Sequence, residues 1–185
     1  AVVPARAAFV RHSKPDKGLP KGSFGMAGWV AAVDGMNAEG LAVGHSSVGS
    51  VFQQSDRYPF IRLWEYVARS KCRTTEEYIE EMTILPLRGK GYSIVCVDRH
   101  GTAVSLEAAC PLVQVRRPDR ARGIQCVNCF QLPALAHADK RTPSAKLDAR
   151  ARAAYLDRVL DGSGPFDIEH MKRLLRNHAD QGICR

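Results

Sequence analysis

No apolar run in this sequence approaches the roughly 20 residues that a membrane-spanning helix requires, so a transmembrane helix is excluded and no membrane partner is expected. The opening Ala1-Val2-Val3-Pro4-Ala5-Arg6 breaks after three apolar residues, which is too short for the core of a signal peptide, and a cytoplasmic location is expected. An initiator Met is also missing, which points to a processed, tagged or truncated chain. Internal repeats, low-complexity tracts and linkers are absent. Residues 1–185 therefore read as a single domain, with an irregular start over 1–28 rich in Pro, Gly and Lys. Disorder is excluded as well, because 45% of the residues are apolar and 25% charged, near the averages for globular proteins.

Cysteine is scarce for a disulfide-built fold: there are six in 185 residues, at 72, 96, 110, 126, 129 and 184. Cys96 and Cys110 sit in apolar, strand-like surroundings, where a free thiol behaves as a small hydrophobe. Cys126-Val127-Asn128-Cys129 has CxxC spacing, which suits a redox pair or half of a zinc site. A zinc site needs a second matching pair, and only isolated Cys and His residues such as His137 remain. No metal and no cofactor are expected.

Positive charge is what the chain has in excess, at +8 overall. Residues 116–158 hold ten basic and four acidic residues, among them Arg116, Arg117, Arg120, Arg122, Lys140, Arg141, Lys146, Arg150 and Arg152. Such a region can hold an anionic ligand or can simply be a solvated surface. No aromatic residue is interleaved from 116 to 129, as stacking on bases would need, so nucleic acid is not an expected partner.

The pattern of apolar residues predicts an order ββ, αα, ββββ, αα. Short strands are expected at 7–10, at 29–33 and from Leu41 to Gly44, the last two joined around Gly35-Met36-Asn37-Ala38-Glu39-Gly40, with Asp34-Gly35 as a turn signal. A helix from about Asp56 puts Ile61, Trp64, Tyr66, Val67 and Ala68 on one face, with Arg62, Glu65 and Arg69 largely away from it. Thr74-Thr75-Glu76-Glu77 starts a second helix with a capping box. Strands at 92–97 and 102–107 flank the turn Asp98-Arg99-His100-Gly101, and further strands are expected at 112–115 and 124–127. Helices over 149–160 and after Asp167 complete the chain. Strands bunched as hairpins imply mostly antiparallel sheets with helices packed over them, an α+β architecture.

Three stretches resemble one family. Gly35-Met36-Asn37-Ala38-Glu39-Gly40-Leu41-Ala42-Val43 is similar to the G-(M/F)-N-x-x-G-(L/V)-A-V hairpin of acyl-coenzyme A:6-aminopenicillanic acid acyltransferase-like proteins, N-terminal-nucleophile hydrolases related to choloylglycine hydrolases. Asp98 to Glu107 resembles the paired strands of that family, in which a glycine turn leads to a strand ending in Glu. Cys126-Val127-Asn128-Cys129-Phe130 stands where the family carries T-N-H, with Cys129 in the place of His. Arg152 before an apolar helix and the closing Gly182-Ile183-Cys184-Arg185 also fit.

The resemblance implies a four-layer αββα fold and amide chemistry. A cysteine exposed by self-cleavage attacks an amide or thioester, its own α-amino group acts as base, and the acyl group passes to water or an amine. The substrate class is a small-molecule amide or acyl thioester. Asn128 is the residue to which the resemblance gives a catalytic role, as oxyanion-side donor at the end of its strand; capping the chain after that strand is the alternative. Asn37 and Gly40 read as turn residues. Glu107 either orients neighbours or faces solvent, and Arg152 either pairs with a carboxylate or lies on a helix surface. The family's nucleophile segment and closing strands fall outside Ala1–Arg185. The chain is therefore expected to be a fold incomplete at both ends, whose partners are the missing segments of its precursor or a second copy. A non-catalytic anion-binding module on the same scaffold, or a thiol-redox protein using Cys126 and Cys129, are the other readings.

Overall fold

In the computed structural model the described residues are 7–29, 31, 34–52, 56–119, 123–162, 166–178 and 183. Strands β1 (Ala8–Ser13), β2 (Lys21–Met26), β3 (Gly35–Asn37) and β4 (Ala42–Val48) come first. Helices α1 (Ile61–Ala68) and α2 (Thr75–Thr83) follow, then strands β5 (Gly91–Val97), β6 (Ala103–Ala108) and β7 (Val113–Arg116). A short 3-10 helix (Pro133–Ala138) leads to α3 (Pro143–Asp161) and α4 (Ile168–Leu175). All seven strands form one antiparallel sheet in chain order, so the α+β reading holds.

Three expectations change here. Within the irregular start expected over 1–28, the short strand expected at 7–10 is β1, and it pairs with an unexpected β2 as a hairpin, with Val10 opposite Phe24; residues 1–6 lie outside the described residues. The strand expected at 124–127 does not form; 123–127 runs without ladder partners, and the strand expected at 112–115 is β7, the last of the sheet. The apolar run over 29–33 falls partly outside the described residues, at 30, 32 and 33. Gly35 is not a turn but part of β3. A β-carbon there would stand 2.2 Å from the Gly22 carbonyl oxygen and 2.4 Å from the Arg69 guanidinium, so close approach of two strands and a buried side chain requires glycine.

One face of the sheet carries the core. Leu41, Val43, Tyr92, Ile94, Cys96, Val104 and Leu106 pack against Ile61 and Ala68 of α1 and Tyr78 and Met82 of α2. Alternation puts Val48 and Glu107 on the opposite face, where Phe130, Leu135 and Ala138 pack on Val48 and Ala109. Helix α3 lies outside that segment, its Ala149 and Ala153 against Val127 and Cys129. The same face continues over β1–β3 as exposed Val10, Phe24 and Met36. No helix among the described residues is long and apolar enough to cross a membrane.

The β3–β4 turn is fastened to the end of α1 by one side chain. Asn37 Nδ2 donates to the carbonyls of Arg69 (3.0 Å) and Cys72 (2.7 Å), and its Oδ1 accepts from Glu39 N and Leu41 N (both 3.0 Å). Gly40 closes the turn at φ 84, a left-handed conformation that favours glycine. Asn37→Ala leaves those buried groups unpaired. Urea denaturation should show a loss of about 2–4 kcal/mol, and a change below about 1 kcal/mol would contradict this account of the turn.

Candidate active site

Asn128 sits on the irregular segment after Val127, where a short bond from Cys129 N to the Val127 carbonyl (2.7 Å) turns the chain. Its Nδ2 donates to the carbonyl of Ser47 at the end of β4 (2.9 Å), and its Oδ1 accepts from the Arg152 guanidinium (3.3 Å). Arg152 is held in turn by Asp148, one turn earlier on α3 (3.1 Å). A guanidinium can only donate, so it fixes which end of the carboxamide is oxygen. A carboxamide has two N–H groups, and among the described residues only Ser47 takes one, which leaves the other. That residual donor, on a group fixed at both ends, is the chemistry an oxyanion requires.

The structure thus brings Asn128 and Arg152 together. Glu107, on the same sheet face, is fully buried and orients the chain that leads away from Asn128. Its carboxylate accepts from Gln131 N on both oxygens and from Leu132 N on Oε2, each at 2.9 Å. Arg116 Nε lies 3.5 Å from Oε1, and the guanidinium also donates to the Gln125 carbonyl. Gln125 and Gln131 exchange side-chain bonds at 2.9 and 3.1 Å, so the bend that carries Asn128 is tied at its base. Asn37 and Gly40 belong to the β3–β4 turn, and Asn37 makes its contacts with 69–72.

A polar cluster beneath the other face was not expected. On α1 the buried residues are Ile61, Glu65 and Ala68, so Glu65 lies on the core face rather than away from it, and Arg69 is fully buried. The spacing i, i+4, i+7 from Ile61 is the signal that could have placed Glu65 there. Beside them, Asp34 Oδ1 accepts from His45 N (2.9 Å) and His45 Nδ1 (2.7 Å), and the His45 ring lies against Tyr92. Burial opposes the charge on Asp34, but its bonds to His45 and the nearby Arg69 outweigh this and hold its carboxyl below the usual range.

Burial pushes the Glu65 carboxyl up to about 7, against the pull of His45 and Arg69. Folded Glu65 therefore keeps its proton to about pH 7, while the unfolded chain releases it near 4.5. Between those values the folded state binds the extra proton, so its contribution to stability falls as pH rises and levels off above 7. The loss is on the order of 3 kcal/mol. Glu65→Gln should remove this slope: the stability difference between variant and parent should grow from pH 4.5 to 7. A difference independent of pH would contradict the burial of an uncompensated carboxyl.

The other sequence candidates resolve differently. Cys126 and Cys129 are both free thiols, and burial pushes both up, Cys126 to about 11. Cys72 and Cys110 are raised to about 12, and Cys96 is raised as well. Each of the described thiols is therefore protonated at neutral pH, which suits neither redox exchange nor nucleophilic attack. Among the described residues no group of three or more His, Cys, Asp or Glu is placed to hold a metal ion. Of the basic stretch, Arg116, Arg117, Arg141 and Arg152 pair with Glu107, Glu76, Asp139 and Asp148. Arg120 and Arg122 lie outside the described residues, as do Gly182, Cys184 and Arg185.

The sequence model of the acyl-coenzyme A:6-aminopenicillanic acid acyl-transferase family matches residues 9–181. No curated protein matches the chain in sequence. Among solved structures, the chain is similar to penicillin V acylase from Agrobacterium tumefaciens, at 17% identity and a TM-score of 0.45. The similarity covers 81% of this chain and 48% of the acylase, so the chain spans about half the length of that relative.

Proposed function

Because this chain belongs to the acyl-coenzyme A:6-aminopenicillanic acid acyl-transferase family, we propose that it supplies the oxyanion side of a cysteine N-terminal-nucleophile amidase or acyltransferase. The nucleophilic cysteine then lies outside these 185 residues. The observation that carries this reading is Asn128, fixed between the Ser47 carbonyl and Arg152 with one amide N–H left to donate. The protonated state of the described thiols supports a nucleophile from elsewhere, since a buried thiol without its own amine has no partner to take its proton.

The reaction follows from these groups. A cysteine thiol gives its proton to its own α-amino group as sulfur attacks the carbonyl of a non-peptide amide or acyl thioester. The carbonyl oxygen becomes an oxyanion, and the free N–H of Asn128 donates to it. Collapse of the tetrahedral intermediate breaks the bond to the leaving amine or thiol, which receives the proton. The acyl group is left on the cysteine until water or an amine displaces it. Arg152 and Asp148 act as positioning residues, because Arg152 touches Asn128 rather than the reacting atoms and Asp148 holds Arg152. The four-layer αββα arrangement belongs to the same reading: the open apolar face formed by Val10, Phe24 and Met36 is what a stacked second sheet would cover.

Intact-mass measurement of the protein made from its full reading frame tests this. The expected product has lost its leading segment and begins with cysteine. A product of the encoded mass, or one that begins with another residue, would overturn the reading.

A further inference from the structure

On the helix side of the sheet, a lysine and a serine form a pair that the chemistry above does not use. Lys21 of β2 is buried, and its Nζ bonds to the Tyr66 carbonyl (2.5 Å) and to Ser70 Oγ. The same nitrogen lies 3.5 Å from the centroid of the Tyr66 ring. Ser70 follows the end of α1 and is half-buried, so it is the member of the pair that solvent reaches. Its main chain is fixed from both sides: Ser70 N donates to the Val67 carbonyl (2.8 Å), and its own carbonyl accepts from Leu19 N (2.7 Å). Alternation along β2 turns Lys21 away from the face of Phe24. A second sheet stacked on Val10, Phe24 and Met36 would therefore leave Ser70 uncovered.

A serine hydroxyl becomes a nucleophile where a neutral amine stands ready to take its proton. Burial and the nearby Arg69 push the Lys21 ammonium down to about 8, so much of the amine is neutral near that pH. The groups facing Nζ are Arg69 and Tyr66 of α1, the Tyr66 hydroxyl being bonded to Ser13 of β1 (2.9 Å). Once protonated, Nζ keeps its bond to the Tyr66 carbonyl in the last turn of α1, where a cation is favoured. The backbone offers an oxyanion little at this point, because Ser70 N and Lys71 N already donate to the Val67 and Ala68 carbonyls (2.8 and 2.9 Å). The pair therefore suits a single transfer from an activated ester rather than turnover of a stable amide.

We propose that Ser70 is a covalent acceptor for the acyl group of an activated ester, with Lys21 Nζ as its base. With p-nitrophenyl acetate, Ser70 Oγ bonds to the acetyl carbon, the bond to the phenolate oxygen breaks, Lys21 Nζ takes the serine proton and p-nitrophenolate leaves as the anion. Peptide mapping of the protein during reaction with p-nitrophenyl acetate tests this. The inference stands apart from the amidase reading, because mapping reads acetyl at Ser70 whether or not an N-terminal cysteine also reacts. Ser144 is the reference, an exposed serine whose hydroxyl partner is Thr142 rather than an amine (3.1 Å). Ser70 is expected to be acetylated at least about 100-fold faster than Ser144, as a positioned base supplies. Its rate should rise with pH and level off above about 8, where Lys21 is neutral. Lys21→Met keeps the length of the buried stem and should lose the advantage over Ser144 with an unchanged circular dichroism spectrum. The pH profile of the unsubstituted protein reads the same base without a substitution. Acetylation of Ser70 no faster than of Ser144, a rate that climbs in proportion to hydroxide through pH 8, or full acetylation in folded Lys21→Met would overturn the proposal.

Discussion

Asn128→Ala is expected to lower kcat about 10²–10³-fold in the protein that carries its nucleophile, with KM little changed. The carboxamide donates to charge that exists only in the transition state, so its removal leaves ground-state binding largely intact. The folded structure should survive, because Asn128 is only half-buried and its Ser47 and Arg152 partners are near the surface. Asn128→Asp sharpens the point. It preserves shape and the bond from Arg152 but turns the donor toward the oxyanion into a negative charge, so activity should fall at least as far. Steady-state kinetics on an amide substrate, with circular dichroism as the control for folding, decide it. A loss below about tenfold for Asn128→Ala would mean that Asn128 only shapes the turn.

The second large effect concerns stability. Glu107→Ala should cost about 3–5 kcal/mol in urea denaturation, because it removes the fully buried carboxylate between a half-buried arginine and two backbone N–H groups. Gln131 N and Leu132 N would then be half-buried donors without their acceptor, and Arg116 would lose its counter-charge. Glu107→Gln, which keeps the shape but points an NH2 at those donors, should cost less, about 1–3 kcal/mol. Equal and small losses for both variants would contradict the role given to Glu107 in tying down the chain that leads away from Asn128.

Much of this fold was legible in residue order. The glycine turn at Asp98–Gly101 lies between β5 and β6 as its composition demanded, and the Thr74 cap of α2 accepts from Glu77 N at 3.2 Å. Asn128 and Arg152, far apart in sequence, were singled out separately, and the structure joins them at 3.3 Å. What composition hid was hidden for physical reasons. Strand β2, Lys21-Gly22-Ser23-Phe24-Gly25-Met26, has too few β-branched residues to announce itself, and its pairing with β1 and β3 supplies what its propensity lacks. Residues 124–127 have strand composition but no ladder partner, since Arg116 and the glutamines bind their backbone and flanks instead. Sequence alone puts Glu65 and Arg69 on the outer face of α1, because charged side chains are rarely buried unless they face other charges, and those charges, Asp34 and His45, come from elsewhere in the chain.

The central claim is that Asn128 faces a cysteine-bound acyl intermediate. The most direct measurement is mass spectrometry of the mature protein stopped during turnover of an activated acyl substrate. It should show the acyl mass on an N-terminal cysteine, labile to hydroxylamine as a thioester is, and much reduced accumulation in Asn128→Ala. An adduct on another residue, or turnover that persists after the N-terminal cysteine is alkylated, would contradict it.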